Sequence, residues 1–259
     1  MTTELLTERL GNLLVMTLSG PATRNALSPQ VYAAGVELLN GAETDPSVAA
    51  VVITGAGGHF CGGGNLERLA HNRQLGPEYQ AANIDAFHQW IEELRSFPKP
   101  VIAAVEGVAA GGGLSLVLAC DIVVAADNAR FVSAYGKVGL SSDGGASWHL
   151  ARALPRGQAL GWLWRGGELS AQQLLQWGLV HEVVPAGQVL KAAAALSESW
   201  ADTPAHVLAS FKELVNEAPS HLLSEQLAAE KQHFLVNLLH PAAGQAISRF
   251  LSRKTPRTD

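Results

Sequence analysis

Runs of apolar residues divide the start of the chain into short strands and an amphipathic helix. Residues 5–10 and 13–18 predict two strands, and the Gly11-Asn12 pair between them is typical of a hairpin turn. Ser28 then offers an N-cap oxygen, and Pro29 fixes the backbone angle at the first helical position. We therefore predict a hairpin followed by a helix that runs to about Asn40.

Further along the chain, continuous apolar runs at residues 49–54 and 101–105 predict strands that are buried on both faces. Between these strands, apolar residues recur at helical spacing over residues 79–96. The order strand, strand, helix is thus repeated, with a glycine-rich loop before each helix. From about residue 149 to residue 252 the pattern is almost entirely helical. These patterns predict a mixed α/β core in residues 1–199 and a helical appendage in residues 200–259.

Composition and charge argue against several classes of function. The 259 residues have a net charge of −5, with 47% hydrophobic and 16% charged residues, which describes a globular protein without the basic surface that nucleic acids require. We interpret the basic residues within 249–257 as a solvated tail, with phosphate binding as the alternative. The start of the chain lacks signal-peptide features, and no apolar run reaches the ~20 residues that span a bilayer. We therefore expect a cytoplasmic protein without a membrane or nucleic-acid partner.

The two cysteines give no sign of a metal site or a disulfide. Cys61 and Cys120 stand among glycines and apolar residues, without the spacing of metal ligands. We interpret both as small buried residues and predict no metal site.

Two glycine-rich loops between strands and helices, at residues 60–66 and 107–115, are the strongest chemical signal. Glycine lets a backbone approach a ligand closely, and the first N–H groups of a helix have no intrahelical acceptor. Two such helix starts that converge would hold a developing oxyanion, whereas tight packing is the alternative for either loop alone. The loops lack a dinucleotide fingerprint and a phosphate-loop lysine. Ser115 completes only half of a nucleophile elbow, so a serine hydrolase is a weak alternative.

Four blocks of sequence resemble the crotonase (enoyl-CoA hydratase/isomerase) superfamily, in order and spacing, over about residues 10–190. Residues 21–27 (PATRNAL) resemble the P-x-x-x-N-A-L signature of that family, and residues 60–66 (FCGGGNL) resemble its F-C-A-G-A-D-L motif. Residues 99–122, which include the triple glycine, form a third block, and residues 139–145 (GLSSDGG) form a fourth. Together these blocks are much more specific than either glycine loop.

The resemblance implies an α/β fold, a spiral of ββα units, with a helical C-terminal region that forms trimers or dimers of trimers. It implies that the N–H groups of Gly64 and Gly112 hold the carbonyl of an acyl-CoA thioester and stabilise its enolate. The coenzyme A segment of the family maps onto Ala22, Arg24 and Ala26, and Arg24 supplies a cation suited to phosphate. No cofactor is implied beyond the coenzyme A of the substrate. The remaining predicted binding residues are Gly62, Asn65, Leu66 and Tyr135.

The reaction depends on the carboxylates near this oxyanion hole. Hydratases of the family use two glutamates, one for water and one for the α-carbon proton. The corresponding positions are Ser115 and Tyr135, so both carboxylates are missing and hydration by the family route is not expected. In the first glycine block, Asn65 replaces the aspartate that is usual in the family. Asp143 lies where several enoyl-CoA isomerases of the family, including enzymes of aromatic degradation, place their single catalytic carboxylate. We predict an enoyl-CoA isomerase that uses Asp143, although Asp-Gly is also a common turn sequence.

His88 leaves a second reaction open. It lies on the apolar face of its predicted helix, where most histidines are core residues. However, 4-chlorobenzoyl-CoA dehalogenases of the same superfamily carry a histidine on this helix and a nucleophilic aspartate at the position of Asp143. There the histidine activates water to hydrolyse the ester that the aspartate forms. A dehalogenase-like or thioester-hydrolysing enzyme with Asp143 and His88 is therefore the alternative, and an inactive acyl-CoA-binding protein is a third possibility.

Overall fold

The computed structural model describes residues 2–253, and the chain divides into two compact units between Trp200 and Ala201. The basic residues Lys254 and Arg257 of the predicted tail lie outside the described residues. The strands are β1 (Glu4–Leu10), β2 (Leu13–Ser19), β3 (Ala50–Gly55), β4 (Val101–Val105), β5 (Val108–Ala110), β6 (Ile122–Ala126), β7 (Arg130–Val132), β8 (Glu168–Ser170) and β9 (Glu182–Val184). The helices of the first unit are α1 (Pro29–Thr44), α2 (Leu66–Leu75), α3 (Pro77–Ser96), α4 (Gly112–Ala119), α5 (Ala146–Ala153), α6 (Arg156–Arg165), α7 (Ala171–Gln176) and α8 (Val189–Ser199).

Six strands of the first unit form one sheet, in the order β1-β2-β3-β4-β6-β9. β1 and β2 pair antiparallel across the predicted hairpin turn, and the other neighbouring strands pair parallel. β4 is buried along its whole length and β3 in all but its last residue, as their continuous apolar runs predict. The first glycine loop leaves the carboxyl end of β3, at the edge where ligands bind in parallel sheets.

A second, three-stranded sheet positions the other glycine loop. β5 pairs parallel with β7, and β7 pairs antiparallel with β8. An isolated bridge joins Cys61 to Ala109 in β5, so the loop after β3 is attached to the edge of this sheet. The loop after β5 leads directly into α4, and the two glycine loops are therefore neighbours.

The predicted hairpin, buried strands and long helix are confirmed. α1 begins as predicted, since Ser28 Oγ accepts a hydrogen bond from the Val31 N–H at 3.3 Å and Pro29 occupies the first helical position. It runs to Thr44, one turn beyond the predicted end, because the isolated Gly41 is tolerated inside a helix.

The prediction of an almost entirely helical region after residue 149 is wrong at β8 and β9. Each of these strands has three residues, which is too short to show a two-residue period, so pairing with β7 or β6 decides their conformation. Helix α2 was not predicted. None of its residues is buried, and a helix without an apolar face leaves no periodic signal.

The second unit consists of α9 (Ala205–Glu217), α10 (Leu223–Leu239) and α11 (Pro241–Arg253). No residue of α9 or α10 is buried. Large apolar side chains are exposed along these helices, among them Phe211, Val215, Phe234 and Leu239. None of the helices in the described part of the chain is long and apolar enough to cross a membrane.

Candidate active site

The loop after β3 presents the N–H group of Gly64. The Gly62 N–H donates to the Arg24 carbonyl at 2.7 Å, and the Leu27 N–H donates to the Gly63 carbonyl at 2.8 Å, so the loop is tied to the segment before α1. Gly63 has a φ of +90°, a conformation that favours glycine. Within residues 2–253, no protein acceptor takes the Gly64 N–H, which remains available to a ligand.

The loop after β5 presents the N–H group of Gly112, the first residue of α4. This N–H has no intrahelical acceptor and lies at the positive end of the helix dipole. The preceding Gly111 has a φ of +52°, and its N–H donates to the Val132 carbonyl at 3.0 Å. A Cβ built on Gly63 would lie 3.2 Å from the Gly112 nitrogen, so the loops are in close contact. Two N–H groups on adjacent loops are the arrangement that an oxyanion hole requires.

Two buried side chains tie the first glycine loop to the segment before α1. Asn25 Oδ1 accepts a hydrogen bond from the Gly20 N–H at 2.9 Å, and Asn25 Nδ2 donates to the His59 carbonyl at 2.7 Å. The Cys61 thiol donates to the Asn25 carbonyl at 3.1 Å and accepts from the Gly63 N–H at 3.3 Å. Burial raises the pKa of the Cys61 thiol to about 12, so the sulfur stays neutral. Cys61 is buried as predicted, but it also orders the first loop. The sequence marked Asn25 only as part of the family signature.

Asp143 is held by two hydroxyl groups near the start of α4. The Tyr135 O–H donates to Asp143 Oδ1 at 2.6 Å, and the Ser115 O–H donates to the main-chain carbonyl of Asp143 at 2.8 Å. The two hydroxyl oxygens lie 2.8 Å apart. Burial and the charge of Asp143 raise the pKa of Tyr135 well above its usual range, so the phenol keeps its proton. Ser115 and Tyr135 therefore form a neutral network around one carboxylate.

His88 lies next to the same loop, and the core interpretation of this residue is wrong. Its side chain is exposed, although Phe87 and Ile91 on the same helix are buried. Position 88 lies at the border of the apolar face of α3, from which the side chain emerges beside the loop of Asp143. His88 Nε2 accepts a hydrogen bond from the Gly144 N–H at 3.2 Å. This nitrogen is thus engaged with the backbone in the structure, and it holds the loop that carries Asp143.

Phe87 forms the floor between the oxyanion loops and Asp143. A Cβ built on Gly112 would lie 3.6 Å from its ring, and one built on Gly144 would lie 2.3 Å from it. Phe87 therefore packs against the backbone on both sides of the site. Its own neighbour is Tyr32, with ring centroids 5.1 Å apart, a residue that the sequence analysis did not single out. The available signal was a tyrosine on the apolar face of the helix that follows the family signature.

The predicted coenzyme A residues lie on the segment before α1. Ala22 and Arg24 are exposed, whereas Ala26 is buried. Arg24 has a φ of +53°, and its carbonyl accepts the Gly62 N–H, so this segment and the first loop are fixed to each other. No residue in the described part of the chain forms an ion pair with the Arg24 guanidinium, which is therefore available to an anion.

The residues after Gly64 begin helix α2. Asn65 is the N-cap, and its Oδ1 accepts a hydrogen bond from the Arg68 N–H at 2.9 Å. Asparagine caps a helix as well as aspartate does, which gives a structural reason for this departure from the family motif. Gly62 and Leu66 are exposed beside the loop. Among residues 2–253, no three histidine, cysteine, aspartate or glutamate side chains are grouped to hold a metal ion.

The two neighbouring glycines of the first loop should respond differently to alanine. Gly64→Ala keeps the N–H, and its Cβ would meet nothing closer than Leu69 at 3.8 Å. Because alanine restricts the unfolded chain, the free energy of unfolding should rise by about 0.5 kcal/mol. Gly63→Ala would place a Cβ 2.6 Å from the Ala110 carbonyl oxygen at positive φ and shift the loop. A shift near 1 Å should lower kcat/KM roughly 100-fold. Urea unfolding and acyl-CoA turnover measure both effects, and equal activity of the two variants would contradict this account.

The chain matches the family model of enoyl-CoA hydratase/isomerase over residues 8–257. It belongs to this family, within the crotonase superfamily. A 1,2-epoxyphenylacetyl-CoA isomerase from Escherichia coli (strain K12) is 32% identical, over 95% of this chain and 94% of that protein. A 4-chlorobenzoyl coenzyme A dehalogenase from an Arthrobacter species is 29% identical, over 95% of this chain and 90% of that protein. The crystal structure of an enoyl-CoA hydratase from Polaromonas sp. JS666 is 52% identical, with a TM-score of 0.94 and 98% of each chain covered.

These similarities confirm the crotonase fold that the sequence blocks implied. They also show an acyl-CoA-processing enzyme of the crotonase superfamily. The similar proteins are named as an isomerase, a dehalogenase and a hydratase, so family membership does not select one reaction. In particular, the expectation that this chain does not catalyse the hydration of the family gains no support, because a similar protein is named an enoyl-CoA hydratase.

Proposed function

We propose that this crotonase-family enzyme shifts the double bond of an enoyl-CoA, with Asp143 as the single proton carrier. The observation that supports this most directly is the network around Asp143, in which hydroxyl groups occupy positions 115 and 135 and one carboxylate is present. Tyr135 engages Oδ1, and no residue of the described chain donates to Oδ2. That second oxygen is thus available to a proton of the substrate.

The proposed reaction balances within the site. Asp143 Oδ2 takes a proton from carbon 2 or carbon 4 of the acyl chain, and the electrons of the broken C–H bond delocalise into the thioester. The thioester oxygen becomes negative and accepts hydrogen bonds from the N–H groups of Gly64 and Gly112. The protonated Asp143 then returns its proton to the other carbon, and the double bond re-forms in its shifted position. The reaction uses no water and needs no second carboxylate.

We further propose that the segment of Ala22, Arg24 and Ala26 binds coenzyme A, with the Arg24 guanidinium paired with a phosphate. Gly62 and Leu66 are exposed beside this segment and would contact the bound thioester from the first loop.

Two other reactions each have one observation in their favour. Hydration is favoured by the 52% identity to the Polaromonas protein that is named an enoyl-CoA hydratase. A dehalogenase-like or hydrolytic route is favoured by the position of His88, whose Nε2 is bound to the Gly144 N–H beside Asp143. Such a route requires His88 to release that N–H before it can activate water.

Isotope labelling tests the proposed reaction. A panel of enoyl- and aroyl-CoA thioesters is incubated with the enzyme in deuterium oxide and, separately, in ¹⁸O water. We expect a shifted double bond in an enoyl-CoA, with deuterium and without any ¹⁸O in its acyl chain, because protonated Asp143 exchanges its proton with solvent in part of the turnovers. Oxygen label in an alcohol product would establish hydration instead. Label in Asp143 after a single turnover would establish the ester route. Thioester binding with neither label nor a shifted double bond across the panel would indicate an inactive acyl-CoA-binding protein.

The exposed apolar side chains of α9, α10 and α11 suggest how the chain assembles. Monomeric proteins rarely expose so many large apolar side chains in one region. We propose that other copies of the chain cover this surface in a homotrimer or a dimer of trimers, and that residues 200–259 serve as the trimerisation region. The cytoplasmic location stays a prediction.

A further inference from the structure

The hydroxyl groups of Ser115 and Tyr135 occupy one side of the Asp143 carboxylate. The Tyr135 O–H donates to Oδ1 at 2.6 Å, a length typical of a hydrogen bond to a charged acceptor. The Ser115 oxygen lies 2.8 Å from the Tyr135 oxygen and 2.8 Å from the main-chain carbonyl oxygen of Asp143. Ser115 is fully buried on α4, so the phenol is fixed against that helix. Within the described residues, Oδ1 is thus occupied and Oδ2 is left for a substrate.

The hydrogen-bond chain that starts at Oδ1 ends on backbone carbonyl groups. From Tyr135 it reaches Ser115 Oγ, whose single proton can be donated to the Asp143 carbonyl at 2.8 Å or to the Gly111 carbonyl at 3.5 Å. Carbonyl oxygens accept hydrogen bonds but have no proton to pass on. Burial and the charge of Asp143 raise the pKa of Tyr135 well above its usual range, so the phenol also keeps its own proton. Among residues 2–253, the chain from Oδ1 therefore gives a proton no route to water.

The contact between Tyr135 and Asp143 suits both protonation states of the carboxyl group. An ionised Asp143 accepts the Tyr135 O–H at Oδ1. When Oδ2 carries a proton, Oδ1 is the carbonyl oxygen of the group and still accepts it. The backbone beside Asp143 is fixed as well, since the Ala146 N–H donates to its carbonyl at 3.3 Å and the Gly144 N–H donates to His88 at 3.2 Å. Asp143 can therefore take up and release a proton at Oδ2 without a rearrangement of its partners.

We propose that Tyr135 and Ser115 are positioning residues that keep the transferred proton on Asp143 Oδ2 until it returns to the substrate. The C–H bond of one carbon breaks as Oδ2–H forms, and Oδ2–H then breaks as the C–H bond of the other carbon forms. A water that contacts both carboxyl oxygens can give a proton to one while it takes the proton of the other. Tyr135 closes Oδ1 to such a water and opposes rotation of the carboxyl group. This inference rests on the proposed isomerase and concerns the fate of its proton.

Turnover of an unlabelled enoyl-CoA in deuterium oxide tests this inference. The isomerised product is isolated at low conversion, before it reacts again, and mass spectrometry gives its ratio of deuterated to unlabelled molecules. We expect Tyr135→Phe to raise this ratio roughly 3- to 10-fold over the wild type, and Ser115→Ala to raise it by less. Tyr79→Phe makes the same change at an exposed tyrosine on α3 and should keep the wild-type ratio. A purely structural role of Tyr135 would lower kcat and leave the ratio unchanged.

The outcomes separate this inference from the isomerase proposal. A wild-type ratio in folded, active Tyr135→Phe would overturn the inference, and so would an equal rise of the ratio in Tyr79→Phe. Fully deuterated product from the wild type at the lowest conversion would overturn it too, while the shifted double bond would leave the isomerase proposal intact. If Tyr135→Phe does not fold or has no turnover, the ratio in Ser115→Ala decides the question. If the folded wild type shifts the double bond of no enoyl-CoA, the isomerase proposal fails, and this inference with it.

Discussion

Asp143→Asn is expected to lower kcat on an enoyl-CoA roughly 100- to 10,000-fold, while the affinity for the thioester stays within about threefold. Asparagine has the shape of aspartate, and its side-chain oxygen still accepts the Tyr135 O–H that holds position 143 at 2.6 Å. The loop should therefore keep its arrangement. What is lost is an oxygen that takes a proton from one carbon and returns it to another. Steady-state kinetics and thioester binding by calorimetry measure the two effects separately.

Asp85→Asn supplies the matched control for this variant. Asp85 is an exposed aspartate on α3, so the same change of charge there should leave kcat within about twofold. A wild-type rate in Asp143→Asn would remove Asp143 from the mechanism. An equal loss of rate and of thioester affinity would give it a structural role instead.

The oxyanion loops could be predicted from the sequence because their chemistry belongs to the backbone. Gly63 and Gly111 both have positive φ, and a Cβ on Gly63 would collide with a neighbouring carbonyl, so glycine is required there by local geometry. The N–H groups that follow are presented whatever the side chains are. Such requirements are visible in a short stretch of sequence, and the same holds for the Ser28-Pro29 helix start.

The side-chain network could not be predicted in the same way. Tyr135 was predicted to contact the substrate, and the sequence offers no sign that its hydroxyl donates to Asp143, eight residues along the chain. His88 was interpreted from its helical spacing, which does not show that a loop 56 residues later would present the Gly144 N–H to it. These contacts depend on how α3, α4 and the loop before α5 meet. Tertiary packing determines that arrangement, and no periodic pattern records it.

Tyr32 shows the same limit in a buried position. It fits an apolar helix face, and the sequence gives no sign that its ring packs on Phe87 of another helix, with ring centroids 5.1 Å apart. Strands β8 and β9 were missed for a related reason, since their conformation comes from pairing with β7 and β6. Local pattern thus predicts the backbone chemistry of this site, and the fold decides which side chains reach it.

The second large effect is expected at the oxyanion hole, where Gly112→Pro should lower kcat/KM roughly 100- to 1,000-fold. Proline suits the first position of a helix, and Gly112 begins α4, so the fold should tolerate the ring. The substitution removes an N–H that no group within residues 2–253 accepts, and it places a ring carbon where the thioester oxygen would lie. Turnover of the enoyl-CoA identified by the labelling panel measures the loss.

The Gly112→Ala variant distinguishes the effect of losing the N–H from the steric effect of the added Cβ. Its Cβ would lie 3.1 Å from Leu27 Cδ1 and 3.6 Å from the Phe87 ring, and proline places a Cβ at the same position. The Leu27 contact is with the end of a flexible side chain, so the alanine variant should keep kcat/KM within about tenfold of the wild type. If both variants fold and lose activity equally, the steric contact with Leu27 explains the loss. Near-wild-type activity in folded Gly112→Pro would place the thioester oxygen elsewhere, since an oxyanion hole cannot function with a proline nitrogen as its donor.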